Sequence, residues 1–339
     1  MIPAESGLLL INKPRGMASF GVISHLRRLT GIRRIGHAGT LDPFADGLLV
    51  TCLGRATAAV QFMESYDKTY RLVAEFGRAT DTQDWTGQTI FSRDLTPAER
   101  EDLQRTDFAS LRQAVQNLVG ERQQTPPMFS AVKVAGRPLY QYARQGREVR
   151  RDSRSIRIYR AEIEDITLRE TLRATMIIRC SKGTYIRTLA DGLGSELGYG
   201  AHAARLSRLT CGPFDLSQAL EPDQLQVWRD QCPDQSAFRG YLVQEGLLLP
   251  VDRAFAGFGT LQLTDPEAER LISGQELLLT EETWSQRIQV PGDVASAGPI
   301  AAFGRGRVIA AVRPVAVKAD CIQIKPERVL VDLADFRQL

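Results

Sequence analysis

The residues best suited to chemistry lie in one glycine-rich stretch, Gly36 to Thr57, which reads GHAGTLDPFADGLLVTCLGRAT. It contains His37 and, five residues later, Asp42 followed by Pro43. Proline keeps the preceding residue out of the helical conformation and is itself well tolerated in the first turn of a helix. We therefore predict that Asp42 lies at a corner between a strand and a helix that starts near Phe44. Its carboxylate is then either the N-cap of that helix or a nucleophile.

Composition narrows the chemistry that this stretch could perform. The chain has 339 residues, a net charge of +3 and 43% hydrophobic residues, which suits a globular protein with room for more than one domain. Its five separated cysteines favour a reducing, cytoplasmic compartment. The three histidines lack zinc-ligand spacing, and neither a Walker loop nor a dinucleotide-binding glycine motif is present. We therefore expect no metal and no cofactor. The N-terminal apolar run is too short for a membrane span, so we expect no membrane association.

Hydrophobic periodicity predicts the elements that position the glycine-rich stretch. Alternation of apolar and polar residues predicts strands, and spacing of three or four predicts amphipathic helices. The predicted elements are a strand at 7–11, a helix from Ser19, a strand at 66–77, helices within 96–118, two strands within 156–180, and a helix capped by Thr184 that ends near Gly198. Arg187 falls in the first turn of that last helix, where the helix dipole disfavours a cation by ~0.3 to 1 kcal/mol. An anionic partner should therefore lie close to Arg187.

The stretch from Arg137 to Arg160 is strongly basic. It contains eight arginines against two acids, Glu148 and Asp152, with tyrosines interleaved. A solvated charged face is one explanation of such a run. The excess of positive charge next to aromatic rings instead favours contact with RNA.

Several segments together resemble the bacterial TruB-type tRNA pseudouridine synthases. The shared features are the order His, Gly, Leu-Asp-Pro around Asp42, K-P-x-G at Lys13, K-T-Y ending at Tyr70, T-D-T-x-D-x-x-G at 80–87, P-P-M-x-S-A-x-K at 126–133, G-x-x-L-Y-x-x-A-R-x-G at 136–146 and G-T-Y-I-R-T at 183–188. The chain departs from the family pattern at Ala38 and Thr40, where the two residue types are exchanged, and at Phe129, where tyrosine is more usual.

The resemblance implies a role for each matched residue. Asp42 would be the nucleophile, Tyr70 would stack on the target base, and Arg187 would form an ion pair with Asp42 that lowers its pKa. The implied substrate contacts are His37, which would fill the place of the flipped base, Lys13, Asp84, Leu206 as an apolar wall, Lys133 and Arg144. Each residue also has a structural interpretation: a turn residue for Lys13, a core residue for Tyr70 and Leu206, a loop histidine for His37 and a surface arginine for Arg187.

The implied fold class is α+β. A catalytic domain at residues 1–250 would be built on a mixed, largely antiparallel sheet with flanking helices, and would carry an RNA-binding insert at about 120–152. Residues 251–339 change to short β-like runs with one helix at 265–273, which predicts a small barrel. That region resembles a PUA-type RNA-binding domain.

The implied function is conversion of uridine 55 in the tRNA T-loop to pseudouridine, with the base flipped out of its stack. The partner would be tRNA alone, and the enzyme would act as a cytoplasmic monomer without a protein partner. One alternative is a non-catalytic tRNA-binding or tRNA-folding protein that keeps the fold. Another is a glycosidase, which needs a second carboxylate near Asp42; Asp46 is the sequence-local candidate.

Overall fold

Two β-sheets carry the architecture of the chain in the computed structural model, which describes residues 6–289, 299–318 and 321–338. The strands of the described residues are β1 Gly7–Lys13, β2 Ile35–His37, β3 Asp46–Leu53, β4 Lys68–Phe76, β5 Arg78–Thr80, β6 Thr89–Ser92, β7 Gly120–Gln124, β8 Lys133–Val134, β9 Arg137–Pro138, β10 Arg154–Leu168, β11 Leu172–Cys180, β12 Ala201–Cys211, β13 Phe214–Asp215, β14 Gly259–Gln262, β15 Leu277–Thr280, β16 Ile288–Gln289, β17 Ile300–Gly304, β18 Arg307–Lys318 and β19 Cys321–Val329.

Helices flank both sheets. The α-helices of the described residues are α1 Ser19–Thr30, α2 Val60–Met63, α3 Pro97–Arg105, α4 Ala109–Gln116, α5 Leu139–Ala143, α6 Ile186–Glu196, α7 Pro222–Asp230, α8 Gln235–Gln244, α9 Asp265–Ile272, α10 Glu281–Arg287 and α11 Leu333–Arg337. Short 3₁₀ segments occupy Gly54–Ala59, Leu216–Gln218 and Val251–Phe255. The α+β class predicted from the sequence is confirmed.

The larger sheet has nine strands, in the order β1-β3-β12-β4-β11-β10-β7, with β2 added to β3 and β13 to β12. Strand β12 runs parallel to β3, whereas the other described pairs of this sheet are antiparallel. The sheet is therefore mixed and largely antiparallel, as predicted. Strands β7 and β10 pair directly, so the chain between them leaves the sheet and returns to it as an insert.

Alternating side chains place hydrophobic cores on both faces of the larger sheet. On β1, Leu9 and Ile11 pack with helices α1, α7 and α8, while Leu8 and Leu10 join a second core on the opposite face. Farther along the sheet, β4, β10, β11 and β12 pack against α3, α4 and α6. Burial on both faces of β1 and β3 explains why these segments read as nearly continuous apolar runs.

The smaller sheet is built from the C-terminal part of the chain. Its six strands lie in the order β15-β19-β18-β17-β14-β16, and α9 and α11 pack beside it. The predicted helix at 265–273 corresponds to α9. The short β-like runs become β14, β17, β18 and β19. This arrangement agrees with the predicted PUA-like β-unit.

Two local predictions were wrong. No helix begins near Phe44: residues 42–45 form a turn closed by the Ala45 N–H and the Asp42 carbonyl at 3.1 Å, and β3 follows directly. Pairing of β3 with β1 and β12 outweighs the local preference for a helix after proline. Thr184 does not cap α6, since Tyr185 occupies the N-cap position and the Thr184 hydroxyl donates to the Ser181 carbonyl instead. Residues 201–211, for which no element was predicted, form strand β12.

Gly47 allows β3 to approach β12. Its φ of +101° lies in the left-handed region, and a Cβ added there would come within 2.7 Å of the Arg208 nitrogen and still closer to the Arg208 carbonyl oxygen. Because both neighbours are backbone atoms, neither can move aside without disturbing the sheet. The parallel pairing that places Arg208 beside the glycine-rich loop therefore requires glycine here.

Gly47→Ala should lower the free energy of unfolding by about 2 to 6 kcal/mol, since it combines an unfavourable φ with overpacking. Gly192→Ala is the matched control, because Gly192 lies in α6 with open space around its Cβ position. That change should stabilise the protein by up to about 1 kcal/mol. Urea unfolding followed by circular dichroism measures both, and equal midpoints for the two variants would contradict the prediction.

Candidate active site

A cleft of about 580 Å³ opens at one end of the larger sheet. Its walls come from distant parts of the chain: the loop before β3, the start of β4, the insert, the turn after β11, the start of α6 and the middle of β12. Four of the predicted site residues line it, namely Asp42, Tyr70, Arg187 and Leu206. The pairing of strands explains why these residues lie close together, because β4 lies between β11 and β12 in the sheet.

Asp42 and Arg187 form the ion pair that the sequence led us to expect. The Arg187 Nε lies 2.8 Å from Oδ2 of Asp42, and the arginine side chain is only 4% exposed. The same guanidinium donates to the carbonyls of Thr82 at 2.5 Å and Phe129 at 2.9 Å. Its position in the first turn of α6 is thus compensated by acceptors from three other segments.

The pKa of Asp42 is raised above its ordinary value. Burial in the cleft is the main cause, because removing water disfavours the ionised carboxylate. Arg187 and, more weakly, Lys13 lower the pKa but do not offset burial, and the nearby Asp84 raises it further. The expectation that the ion pair would bring this pKa below its usual range was wrong, since it neglected the desolvation of the carboxylate.

Tyr70 and Leu206 form one apolar side of the cleft. Tyr70 lies on the buried face of β4 and is 9% exposed; Leu206 lies on β12, where it pairs with Leu72 of β4. Burial raises the pKa of Tyr70 to about 12, while the adjacent Arg208 guanidinium opposes the rise. At neutral pH the phenol is therefore protonated. An aromatic face and an aliphatic wall beside a carboxylate suit a flat, partly polar ligand such as a base.

Lys13 and Asp84 support the site from outside the cleft lining. The Lys13 ammonium is fully buried and donates to the carbonyls of Pro14 at 3.0 Å, Met17 at 2.7 Å and Ala45 at 2.5 Å. Burial lowers the pKa of Lys13 to about 8, and Asp46 and Asp42 oppose this shift.

Asp84 contacts the arginine that binds Asp42. Its Oδ2 lies 3.4 Å from Nη1 of Arg187, and its Oδ1 accepts from the backbone and hydroxyl of Thr86. Asp84 is only 5% exposed, and its charge raises the pKa of Asp42.

His37 ends β2 and is not part of the cleft lining. Its Nδ1 is buried without a hydrogen-bond partner among the described residues, and burial together with Arg208 lowers its pKa. The ring is therefore neutral at neutral pH.

Lys133 and Arg144 lie on the insert rather than in the cleft. Lys133 is exposed on β8, next to the cleft residue Val132, and Arg144 follows α5 with its guanidinium 5.5 Å from the centre of the Tyr140 ring. A second pair of the same kind joins Arg147 to Tyr142 at 5.8 Å. The insert thus presents stacked arginines at its surface.

Two buried cations of the cleft, Arg208 and Lys68, were not predicted from the sequence. Arg208 donates from Nε to the Leu48 carbonyl at 2.7 Å and from Nη2 to the Gly39 carbonyl at 3.1 Å. Lys68 donates to the carbonyls of Glu64 at 2.8 Å and Tyr66 at 2.6 Å, and burial lowers its pKa. The alternation of side chains along a strand was the signal that could have identified them. On β12 it places Arg208 on the same face as Leu206, and on β4 it places Lys68 on the same face as Tyr70.

The described residues offer no cluster of three or more histidine, cysteine or acidic side chains that could hold a metal ion. The charged groups that line the cleft besides Asp42 are the cations Arg187, Arg208, Lys68 and Arg154, and the carboxylate of Glu64. The cleft therefore carries more positive than negative charge, which suits an anionic ligand.

The fold is shared with solved Cbf5 structures. A chain in the crystal structure of a Cbf5-Nop10-Gar1 complex matches with a TM-score of 0.72 and 20% sequence identity, covering 98% of this chain and 87% of that one. A chain of the archaeal box H/ACA sRNP Nop10-Cbf5 complex matches with a TM-score of 0.69 and 18% identity, covering 99% and 89%. At such identities the likeness defines the fold class alone.

Sequence comparison identifies the family. The model for the N-terminal domain of TruB family pseudouridylate synthases matches residues 27–186, and the model for the C-terminal domain of tRNA pseudouridylate synthase B matches residues 187–256. The chain therefore belongs to the TruB family of pseudouridylate synthases.

Curated relatives named tRNA pseudouridine synthase B agree with this assignment. The protein of Geobacillus kaustophilus is 39% identical over 80% of this chain and 91% of its own length. That of Sodalis glossinidius is 37% identical over 88% and 92%, and that of Geotalea uraniireducens is 43% identical over 68% and 70%.

Arg187→Gln should restrict activity at low pH. Arg187 lowers the pKa of Asp42, so its loss should raise that pKa further and leave less ionised carboxylate at a given acidic pH. The acid limb of the pH–rate profile should therefore move to higher pH. Single-turnover release of tritium from C5-labelled uridine in tRNA measures it. Arg173→Gln, which removes a distant pair with Glu75, should leave the limb in place; a common shift in both variants would argue against the assignment.

Proposed function

We propose that this chain converts uridine 55 in the T-loop of tRNA to pseudouridine. The observation that most directly supports this proposal is the position of the Asp42 carboxylate. Its Oδ2 lies 2.8 Å from the Arg187 Nε, in a cleft that Tyr70 also lines. The volume of about 580 Å³ accommodates a nucleotide, within the ~300 to 1,000 Å³ usual for small-molecule sites. The relatives named tRNA pseudouridine synthase B support tRNA as the substrate. The activity is that of an isomerase.

The reaction breaks the N1–C1′ bond of uridine, turns the base and joins C5 to C1′. It needs neither an energy source nor a redox partner, because one bond replaces another and the proton lost from C5 is balanced by a proton gained at N1. An ionised Asp42 serves by adding to C6 of uracil or by attacking C1′ of the ribose, and it departs as the new bond forms. Both routes require a flipped base next to the carboxylate.

Different residues of the cleft are proposed to make different contacts around that base. Tyr70 offers a ring face for stacking, Leu206 offers an apolar wall, and Arg187 orients the carboxylate. Flipping costs a few kcal/mol in unstacking, which contacts to the displaced base and its phosphates must offset. His37, on the strand that leads into the loop, is proposed to occupy the vacated position in the RNA stack.

The insert is proposed to bind the T-arm. Lys133, Arg144 and Arg147 stand on its surface, and the two arginines are stacked on tyrosine rings. Such pairs can contact phosphates with the guanidinium edge while the rings remain available to bases. Recognition should rest on loop shape and phosphates, so affinity should fall with rising salt concentration.

We propose a division into residues 1–250, with the insert at about 120–152, and residues 251–339 as a PUA-like RNA-binding domain. Support comes from the second sheet, which starts at Gly259, and from the family match, which ends at residue 256. Residues 1–5, 290–298, 319–320 and 339 of these ranges lie outside the described residues. Contacts join the two parts: the Tyr66 hydroxyl donates to the carbonyls of Ala254 and Ala256, and Arg55 pairs with Asp332.

A monomer that acts in the cytoplasm on tRNA, without a protein partner, is the further part of this proposal. Its support is that one copy of the chain contributes Asp42, Tyr70 and Arg187 to the same cleft. Within the described part of the chain, the helices are all too short or too polar to span a membrane.

Asp42→Asn should abolish tritium release from tRNA labelled at C5 of uridine while leaving tRNA binding unchanged, because the amide cannot act as the nucleophile. Filter retention measures binding in parallel. Asp46→Asn is the matched carboxylate control, since Asp46 accepts a hydrogen bond from Ser207 outside the cleft lining. It should keep releasing tritium.

The alternatives predict other outcomes. If the wild type binds tRNA without releasing tritium, the chain is a tRNA-folding protein. If Asp46→Asn were as inactive as Asp42→Asn, a mechanism with two carboxylates would gain support.

A further inference from the structure

The segment that follows Asp42 is held by an unusual run of hydrogen bonds. Three consecutive carbonyls accept from the end of β1 and the turn after it: Pro43 from the Gly16 N–H at 2.7 Å, Phe44 from Arg15 Nε at 3.1 Å, and Ala45 from Lys13 Nζ at 2.5 Å. Neither Lys13 nor Arg15 contributes to the lining of the cleft. These hydrogen bonds therefore hold in place the backbone segment that carries the Asp42 carboxylate.

Arg15 also reaches the opposite wall of the site. Its Nη2 donates to the Ala204 carbonyl at 2.7 Å, two residues before Leu206 on β12. One planar guanidinium therefore joins the loop that carries Asp42 to the strand that carries the apolar wall. Because the donors of a guanidinium are fixed in a rigid fork, this bridge sets the separation of the two elements in a way that a flexible lysine would not.

Trp85 holds the guanidinium in place. The Arg15 Cζ lies 5.4 Å from the centre of the Trp85 ring. The backbone N–H of Trp85 donates to the Ala203 carbonyl at 3.1 Å, which fixes the residue to β12. The ring is 47% exposed, so core packing does not explain its position. The preceding residue is Asp84, which contacts Arg187. The stack is therefore linked to the ion pair on two sides. Arg15 binds the carbonyl of Phe44, two residues after Asp42, and Trp85 follows Asp84 in the chain.

We propose that Arg15 is a positioning residue for Asp42, clamped by Trp85, and that it sets the distance between the nucleophile and the pocket wall. The inference rests on the proposed function and deepens it. Arg15 makes no contact with the reacting atoms; it acts through the Phe44 and Ala204 carbonyls. Its loss should misplace the carboxylate relative to the bound base while leaving the RNA-binding surface of the insert intact.

The test compares Arg15→Lys, Arg15→Gln, Trp85→Ala and Trp85→Phe with wild type. Single-turnover tritium release at saturating enzyme gives the rate of the chemical step, and filter retention gives the Kd for tRNA. Both Arg15 variants should react about 10- to 100-fold more slowly, as expected for a misplaced reacting group, with Kd unchanged. Trp85→Ala should be slowed less than the Arg15 variants, and Trp85→Phe should recover the wild-type rate because it keeps an aromatic face under the guanidinium.

Arg93→Lys is the matched control. Arg93 also stacks on an aromatic ring, that of Tyr199 at 5.4 Å, and donates to the Gly198 carbonyl at 3.0 Å, away from the cleft. It should lower Tm about as much as Arg15→Lys does, without slowing the reaction. A slow reaction in Arg93→Lys as well would reduce the effect to general destabilisation and overturn the proposal.

Two other results would also overturn it. Wild-type rates in both Arg15 variants would show that Asp42 keeps its position without the guanidinium. A raised Kd for tRNA at an unchanged rate would make Arg15 an RNA contact. Absence of release by the wild type would instead contradict the proposed function, so the two failures are distinguishable.

Discussion

The ion pair between Arg187 and Asp42 is the interaction on which the rest of the site depends. The arginine is almost fully buried, and a buried guanidinium is tolerated only where its donors are satisfied. Its acceptors come from the loop before β3, the hairpin of β5 and β6, and the insert. These segments meet only when the nine-stranded sheet has assembled, so the Asp42 carboxylate is in place only in the folded protein. Loss of any one acceptor would leave a buried charge less well compensated.

Burial at this end of the sheet changes the protonation behaviour of several groups together. It raises the pKa of Asp42 and Tyr70 and lowers that of Lys13, Lys68 and His37. In each case desolvation is the largest cause, and neighbouring charges modify it. A partly desolvated carboxylate is a stronger nucleophile than a fully hydrated one, provided that it remains ionised. The surrounding cations favour that ionised form and also favour an RNA substrate.

Local patterns predicted the elements that have one dominant local signal. Strand β4 has strict alternation around Tyr70, and helix α1 has apolar residues at helical spacing and ends at a glycine with φ of +73°. The patterns failed where long-range pairing overrides local preference. The segment after Pro43 joins β3, because that strand is hydrogen-bonded to strands far away in the sequence.

The sequence by itself determined the alternation and turn residues that specify most strands and helices, and the order of residue types that marks the family. It also placed a cation at the start of α6 that required an anionic partner. Only the tertiary structure decided which residues share the cleft. It excluded Lys13, Asp84 and His37 from the lining, added Lys68 and Arg208, and reversed the predicted shift in the pKa of Asp42. The physical reason is that contact and desolvation depend on neighbours distant in the chain, which local patterns do not contain.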